Sequence, residues 1–121
     1  MSTENKEIIR KLNEGFVEND AEKILSYVAD DVRWDMLGTF SHMGKEAFRK
    51  ELHNENFVGT PTLSYKNAIA EGDYVAVEGE VQCMKKDGSM FDAFFFDMYK
   101  LADGKIKEMR SYVIEKNKPV F

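Results

Sequence analysis

The sequence is poor in cysteine, since only Cys83 among its 121 residues carries a thiol. A single cysteine forms no intrachain disulfide and cannot build a cysteine-based zinc site. The sequence also has no His/Asp/Glu spacing typical of a metal triad, no phosphate-binding glycine loop and no nucleophile elbow. We therefore expect neither a metal nor a cofactor, and a protein suited to a reducing compartment.

Positive charge is scarce as well. There are 17 Lys and Arg residues against 22 Asp and Glu residues, which gives a formal net charge of -5. Such a balance disfavours nucleic acid and anionic membranes as partners. No apolar run approaches the roughly 20 residues that span a bilayer, and the polar residues 1–7 do not resemble a signal peptide. We predict a cytoplasmic protein that forms a single domain over residues 1–121.

The hydrophobic pattern is helical in the first part of the chain and alternating in the second. Ile8, Leu12 and Phe16 predict a first helix that ends near residue 19, and a third helix begins at Gly44. Asp20 can cap a second helix, which extends past Val28 and ends at residues 30–31. A strand is expected at 32–37, a loop at 38–43 and a turn at 54–61, followed by strands at 62–70, 74–84, 90–101 and 105–115. This order predicts an α+β fold with three N-terminal helices packed on a curved, mainly antiparallel sheet that encloses a concave interior.

The most aromatic segment, residues 90–101, is predicted to be a central strand. Alternation along it places Asp97 on one face with Phe95 and Tyr99. An aspartate on an apolar face must be hydrogen-bonded, ion-paired or protonated. Asp97 is therefore the first candidate for a functional group.

The last strand supplies a possible partner for this acid. Arg110 and Tyr112 are predicted to share one face with Ile106, and we interpret that face as part of the pocket wall. If Arg110 pairs with Asp97, the carboxylate stays ionised, which suits an acidic ligand but not the role of hydrogen-bond donor. A purely structural Asp97–Arg110 ion pair is the alternative.

Aromatic residues and one histidine complete the candidate ligand-binding set. Four aromatic residues can line the pocket and stack on a planar ligand, although core packing is the more common role for each of them: Trp34, Phe95, Tyr99 and Tyr112. His53, near the end of the third helix, is a candidate proton shuttle. Its alternative role is that of an exposed residue at a helix end.

Three stretches resemble the nuclear transport factor 2-like superfamily, in particular its ketosteroid isomerase and SnoaL-like polyketide cyclase branch. They are YVADDVRW at 27–34, GKEAF at 44–48, and the pair EGDYVAV at 71–77 and DMYKLADGKI at 97–106. Their order and spacing match over nearly the whole chain. The resemblance implies a cone-shaped α+β barrel with a deep apolar pocket.

The resemblance also implies roles for two acids. Asp35, in DMLG at 35–38, stands where the isomerases have their general base, and Asp97 stands where the family has its second acid. Two such acids can divide the work, because an ionised one removes a proton next to a carbonyl while a neutral one stabilises the enolate; ketosteroid isomerase is the known case of this division. The tyrosine of the isomerases' first helix is replaced by Leu12, and Tyr99 and Tyr112 are its best substitutes.

The opposite face of the predicted strand at 90–101 indicates a protein partner. Phe94, Phe96 and Met98 point away from the pocket and need a cover, so we expect a homodimer through the outer sheet face. The predicted function is that of a pocket for a small hydrophobic or planar molecule, in which Asp35 and Asp97 catalyse a cofactor-free isomerase- or cyclase-type proton transfer. The alternative is a non-catalytic ligand-binding or protein-interaction module on the same fold.

Overall fold

The structure of the chain, a computed structural model, describes residues 2–53 and 57–116. Within these residues it has three helices and six strands, in an α+β arrangement. The elements are α1 (Ser2–Glu18), α2 (Ala21–Leu25), β1 (Val28–Met36), β2 (Phe40–Met43), α3 (Lys45–Leu52), β3 (Phe57–Glu71), β4 (Tyr74–Lys85), β5 (Met90–Ala102) and β6 (Lys105–Glu115). No helix in these two ranges is long and apolar enough to cross a membrane.

The six strands form one curved, unclosed mixed sheet in the order β2-β1-β6-β5-β4-β3. β1 runs parallel to β6, and all other neighbouring strands are antiparallel. The helices lie against one face, which we call the inner face. There α1 packs on β3 and β4, and α3 packs on β1. The predicted α+β class and helix-covered sheet are confirmed.

Local sequence signals explain where the first two helices end and begin. Asn19 adopts a left-handed conformation (φ 56°) directly after α1, a position that asparagine tolerates better than most residues. The carboxylate of Asp20 then accepts a hydrogen bond of 3.1 Å from the backbone N–H of Lys23. The predicted cap at Asp20 is therefore confirmed.

The boundary between α2 and β1 differs from the prediction. Val28 lies at helical spacing from Ile24, and the sequence pattern extended the second helix past it. In the structure α2 ends at Leu25, and Val28 already pairs with Ile106 of β6. Val28 is 1% exposed, so its burial against the sheet, rather than its helical spacing, decides its conformation.

Two predicted irregular segments contain strands. The expected loop at 38–43 includes β2, in which Ser41 pairs with Asp35 and His42 with Trp34. The expected turn at 54–61 includes the start of β3 from Phe57 onwards, and residues 54–56 lie outside the described part. Edge strands of this kind are short or irregular, and β3 indeed has a register shift between Val58 and Thr62, so their alternation is weak in the sequence.

A β-bulge in β6 overturns the predicted faces of that strand. Lys100 pairs with Glu108 and Leu101 with Ile106, which leaves Lys107 without a partner on β5. One extra residue reverses the alternation beyond it. Ile106 and Met109 are therefore both buried in the core. The prediction that Arg110 and Tyr112 share the face of Ile106 is wrong.

Candidate functional site

The candidate site is built around Asp97 in the middle of β5. Asp97 pairs with Val77 of β4 on one side and with Ser111 of β6 on the other. Its side chain lies on the inner face, where Phe95 and Tyr99 are also buried, and the residue is only 8% exposed. The predicted inward orientation of Asp97 beside Phe95 and Tyr99 is confirmed.

Hydroxyl groups, rather than a cation, hold the Asp97 carboxylate. The Tyr99 hydroxyl donates a hydrogen bond of 3.2 Å to Oδ2 of Asp97, and the Ser111 side chain also hydrogen-bonds this carboxyl group. Burial raises the pKa of Asp97 to about 6, against the opposing effect of the Ser111 and Tyr99 hydrogen bonds. Both protonation states are therefore populated close to neutral pH.

Two further side chains extend this network. The Trp34 indole N–H donates to Oγ of Ser111 over 3.4 Å. Burial, and after it the charge of Asp97, raise the pKa of the Tyr99 phenol well above its usual value. Asn13 of α1, which is 7% exposed, opposes this rise through its hydrogen bond to Tyr99. We call Asn13, Trp34, Asp97, Tyr99 and Ser111 the buried polar network.

A cavity of about 100 Å³ lies between α1 and the strands β3 and β4, next to this network. Asn13 belongs both to its wall and to the buried polar network, whereas Asp97 is absent from the wall. Tyr65 also lines the cavity, and burial followed by the charge of Asp97 raises the pKa of Tyr65 to about 12. The remaining wall is formed by Lys6, Ile9, Arg10, Ala68, Val75 and Val77.

A larger concavity of about 300 Å³ lies at the other end of β3, β4 and β5. It contains none of the network residues and none of the candidate site residues predicted from the sequence. Its lining residues are Val58, Gly59, Thr60, Thr62, Gln82, Cys83, Met84 and Met90. The smaller cavity is therefore the one that matters for the chemistry of Asp97.

Aromatic side chains fill the interior beside β1. The Trp34 ring packs on Phe48 at 4.5 Å between centroids, on Phe40 at 5.1 Å and on Phe16 at 6.3 Å. Trp34 itself is 6% exposed. Its contacts in the structure are thus those of a core residue, with one hydrogen bond to the buried polar network.

Asp35 lies on the opposite, outer face of the sheet, because it follows Trp34 directly in β1. It accepts a hydrogen bond from the Ser41 hydroxyl and forms an ion pair of 3.0 Å with Arg33. The Ser41 hydrogen bond, and after it the contacts with Arg33, lower the pKa of Asp35. The expected convergence of Asp35 and Asp97 on one pocket is therefore not observed.

Three other predicted site residues also lie away from the network. Arg110 is exposed and lies opposite Asp35 of β1 and Met98 of β5 in the strand register, whereas Asp97 lies opposite Ser111. The alternative of a structural Asp97–Arg110 ion pair is therefore not observed. Tyr112 is 40% exposed on the outer face, where its ring contacts Phe96. His53 is exposed directly after α3. The bulge in β6 accounts for the first two misplacements.

Sequence reasoning missed Asn13, Tyr65 and Ser111. Asn13 interrupts the apolar stripe of α1 beside Leu12, and a buried amide on such a stripe is a recognisable signal. Ser111 faces Asp97 only once the bulge has set the alternation of β6. Tyr65 stands just before a register shift in β3, and neither the shift nor the bulge is evident from the residue types alone.

The described residues contain no group of three or more His, Cys, Asp and Glu side chains that could hold a metal ion. The hydrogen-bond donors and the carboxyl group of the buried polar network are suited to proton transfer or to binding a polar atom of a small molecule. They provide no cluster of positive charge for a phosphate group.

Comparison with known proteins places the fold in a family. Residues 9–109 match the family model of the SnoaL-like domain. A search of curated proteins returns no significant match.

Solved structures that share the fold differ in their named activities. A Mycobacterium tuberculosis LEH-like epoxide hydrolase is 17% identical, with 93% of this chain and 84% of that one covered and a TM-score of 0.83. A ketosteroid isomerase-like protein from Kribbella flavida is 18% identical, with 98% and 83% covered and a TM-score of 0.77. TerC, co-crystallised with polyporic acid, is 25% identical, with 89% of each chain covered and a TM-score of 0.78. These likenesses concern the fold, and the family match over 9–109 shows that the chain belongs to the SnoaL-like domain family of the nuclear transport factor 2-like superfamily.

Proposed function

We propose that this SnoaL-like protein binds a small, largely apolar molecule in the cavity between α1 and β3–β4 and transfers a proton to or from it without a cofactor. The observation that carries the proposal is the buried carboxyl group of Asp97. It is 8% exposed, has a pKa raised to about 6 by burial, and connects to the cavity wall through Tyr99 and Asn13.

The protonation equilibrium of Asp97 suits acid–base chemistry. A group with a pKa close to the working pH gives and takes protons with little free-energy cost in either direction. Tyr65, on the cavity wall, remains a neutral phenol because its pKa is raised to about 12. In the proposal Tyr65 donates a hydrogen bond to a carbonyl or enolate oxygen of the ligand. Because Asp97 itself does not line the cavity, the proton moves between the ligand and the Asp97 carboxylate through the Tyr99 hydroxyl.

The proposal assigns proton transfer to one acid rather than to two. Asp35 lies on the outer face with Arg33 and Ser41, and the sheet separates it from the cavity. The family's division of work between two acids is therefore not part of the proposed mechanism. The named activities of the structural relatives vary from epoxide hydrolase to ketosteroid isomerase-like, which fits a fold that supports several chemistries.

Non-catalytic binding is the second candidate function, and a specific observation favours it. The aromatic cluster around Trp34 fills the interior next to β1, and Asp97 is the single carboxylate among the buried residues of the described chain. In this case the cavity binds its ligand through Asn13 and Tyr65 without chemical change.

Hydrogen–deuterium exchange distinguishes the two functions even when the natural substrate is not identified. Small ketones are incubated with the protein in D₂O, and loss of their α-hydrogen signals is followed by NMR. We expect catalysed exchange for a ketone that binds, a loss of about 10²-fold or more in Asp97→Asn, and an unchanged rate in Asp35→Asn. Binding without exchange, or equal rates for Asp97→Asn and the unmodified protein, would overturn the catalytic proposal.

We also propose that a second copy of the chain covers the outer sheet face. Phe94, Phe96, Tyr112 and Ile114 form an apolar patch there and are each between 40% and 68% exposed. Patches of this kind are typical of protein–protein contacts, and oligomers of soluble proteins are most often symmetric dimers.

A further inference from the structure

One stripe of α1 forms the helical wall of the cavity. Lys6, Ile9, Arg10 and Asn13 follow one another at helical spacing and all line it. Lys6 and Arg10 are exposed, whereas Ile9 is 2% and Asn13 7% exposed. The wall therefore changes from charged at the solvent side to apolar and amide-bearing at depth.

The two cations at the mouth differ in how their charges are neutralised. The Arg10 guanidinium is held by Glu7, with Nε to Oε distances of 3.0 and 3.1 Å, and by Glu14. Lys6 forms no ion pair in the described part of the chain. Its ammonium group is thus an uncompensated positive charge at the cavity mouth, in a protein whose formal net charge is -5.

The deeper part of the cavity combines apolar walls with one polar group. Ile9, Val75 and Val77 are almost completely buried, and Ala68 of β3 completes the apolar lining. Asn13 offers its amide at this depth, whereas Tyr65, which is 48% exposed, offers its phenol nearer to solvent. An occupant must therefore have an apolar body, and it can make hydrogen bonds along one side.

Size limits the occupant further. An apolar protein cavity of about 150 Å³ is known to accept benzene, which has six carbon atoms. The volume of about 100 Å³ observed here therefore fits a body of roughly four to six carbon atoms. A steroid or another polycyclic molecule does not fit the cavity in this conformation.

These observations together identify a ligand class. We infer that the cavity takes a short-chain carboxylate, with its apolar body between Ile9 and the β4 valines and its carboxylate beside the Lys6 ammonium at the mouth. The inference rests on the proposed function in one respect, since it concerns the same cavity. It does not depend on whether Asp97 transfers a proton.

Calorimetric titration with a matched pair of probes tests the inference. The probes are 3-methylbutanoate and its uncharged amide, 3-methylbutanamide, which have the same carbon skeleton. We expect the carboxylate to bind more tightly than the amide, and Lys6→Met to weaken carboxylate binding about two- to fivefold while leaving amide binding unchanged.

A second lysine on the same helix provides the control. Lys11 is exposed and lies outside the cavity wall, so Lys11→Met removes the same charge from α1 without changing the mouth. We expect Lys11→Met to bind the carboxylate like the unmodified protein. Equal weakening in both variants would mean a long-range charge effect and would overturn the role of Lys6.

The outcomes also separate this inference from the proposed function. Carboxylate binding that depends on Lys6 but persists in Asp97→Asn supports the inference even if no proton exchange is found. Equal affinity for acid and amide refutes the inference while leaving proton transfer by Asp97 open to its own test. Absence of binding by both probes, at concentrations where the protein stays folded, refutes the ligand class.

Discussion

The hydroxyl of Tyr99 donates a hydrogen bond to the carboxylate of Asp97, 3.2 Å away and two residues earlier on the same face of β5. Tyr99 is completely buried, so this donor does not exchange freely with water. The contact stabilises the charged form of Asp97 against the effect of burial. The balance between burial and the hydrogen bonds of Ser111 and Tyr99 determines the protonation of Asp97, the acid of the buried polar network.

Removing the Tyr99 hydroxyl should raise the pKa of Asp97. A hydrogen bond to a charged group contributes about 1.5–3 kcal/mol, and each pKa unit corresponds to about 1.4 kcal/mol, so Tyr99→Phe should raise the Asp97 pKa from about 6 to roughly 7 or above. The measurement is an NMR titration of the Asp97 carboxyl carbon. Tyr112→Phe, on the outer face, is the control and should leave the titration unchanged. An unaltered pKa in Tyr99→Phe would show that the Tyr99 hydrogen bond does not contribute to the pKa of Asp97.

Asp97 should also make stability depend on pH in an unusual direction. Its pKa is about 6 when folded and about 3.9 in an unfolded chain. The folded state therefore binds the proton more tightly, and the associated stability is complete below about pH 4 and is lost as the pH rises to 6. Most carboxylates with lowered pKa values, such as Asp35, contribute in the opposite direction.

Comparison with Asp97→Asn isolates this contribution. The free energy of unfolding of the variant, relative to the unmodified protein, should increase by about 2–3 kcal/mol between pH 4 and pH 7. Urea unfolding at several pH values measures the difference, in which the effects of other groups cancel. A difference that stays constant with pH would mean that Asp97 is ionised at the same pH in the folded and unfolded states.

The sequence predicted which side chains of β5 lie on the inner face, but not which side chains of β6 lie beside them. Strict alternation over residues 90–101 was enough to orient Phe95, Asp97 and Tyr99, because β5 is a central strand whose pairing with β4 is regular throughout. On β6 the same reasoning failed at Lys107, where a bulge reverses the alternation. A bulge depends on how two strands fit together, and the residue types of one strand do not reveal it.

The placement of Asp35 shows a second limit of prediction from the sequence. Its position in the sequence matches the general base of the isomerases, yet the burial of its neighbour Trp34 in the aromatic cluster turns Asp35 to the outer face. A resemblance in sequence order gives the strand and the approximate position. The face, which decides whether the side chain can reach the cavity, is set by packing.

Gly79 should be intolerant of any side chain. It pairs with Tyr65 on β3 and with Phe95 on β5, and an added Cβ atom would lie 2.2 Å from the carbonyl oxygen of Ser64 and 2.9 Å from the Phe95 ring. Because the closer contact is with backbone, relaxation would have to move β3 away from β4. We expect Gly79→Ala to lower the free energy of unfolding by about 2 kcal/mol or more.

Chemical unfolding measures the effect of this substitution. Ala76→Gly, on the same strand and half-buried, is a useful comparison because it changes the same pair of residue types in the opposite direction and should cost only about 1 kcal/mol. Full stability in Gly79→Ala would show that β3 and β4 are less closely packed at this point than the structure indicates.

The outer sheet face should hold two copies of the chain together. Phe94 belongs to the exposed patch, opposite Ile114 on β6. The Lys116 ammonium lies 4.7 Å and the Lys66 ammonium 5.8 Å from its ring centroid. Glu80 forms ion pairs with both lysines, and Asp92 lies 3.3 Å from Lys116. Two carboxylates therefore balance the two ammonium groups, and the rim of the patch does not repel a second copy.

A negative charge at position 94 in this patch should separate the two subunits of the proposed dimer. Sedimentation should show a dimer for the unmodified protein at micromolar concentration and a folded monomer for Phe94→Glu. A carboxylate in an apolar interface loses its hydration, and the nearby Lys66 and Lys116 are already paired with Glu80. Leu37→Glu is the matched control, since Leu37 is similarly exposed (42% against 44% for Phe94) but lies in the turn between β1 and β2. It should remain dimeric. A monomeric unmodified protein, or a Phe94→Glu variant that still forms dimers, would contradict the assignment of this face.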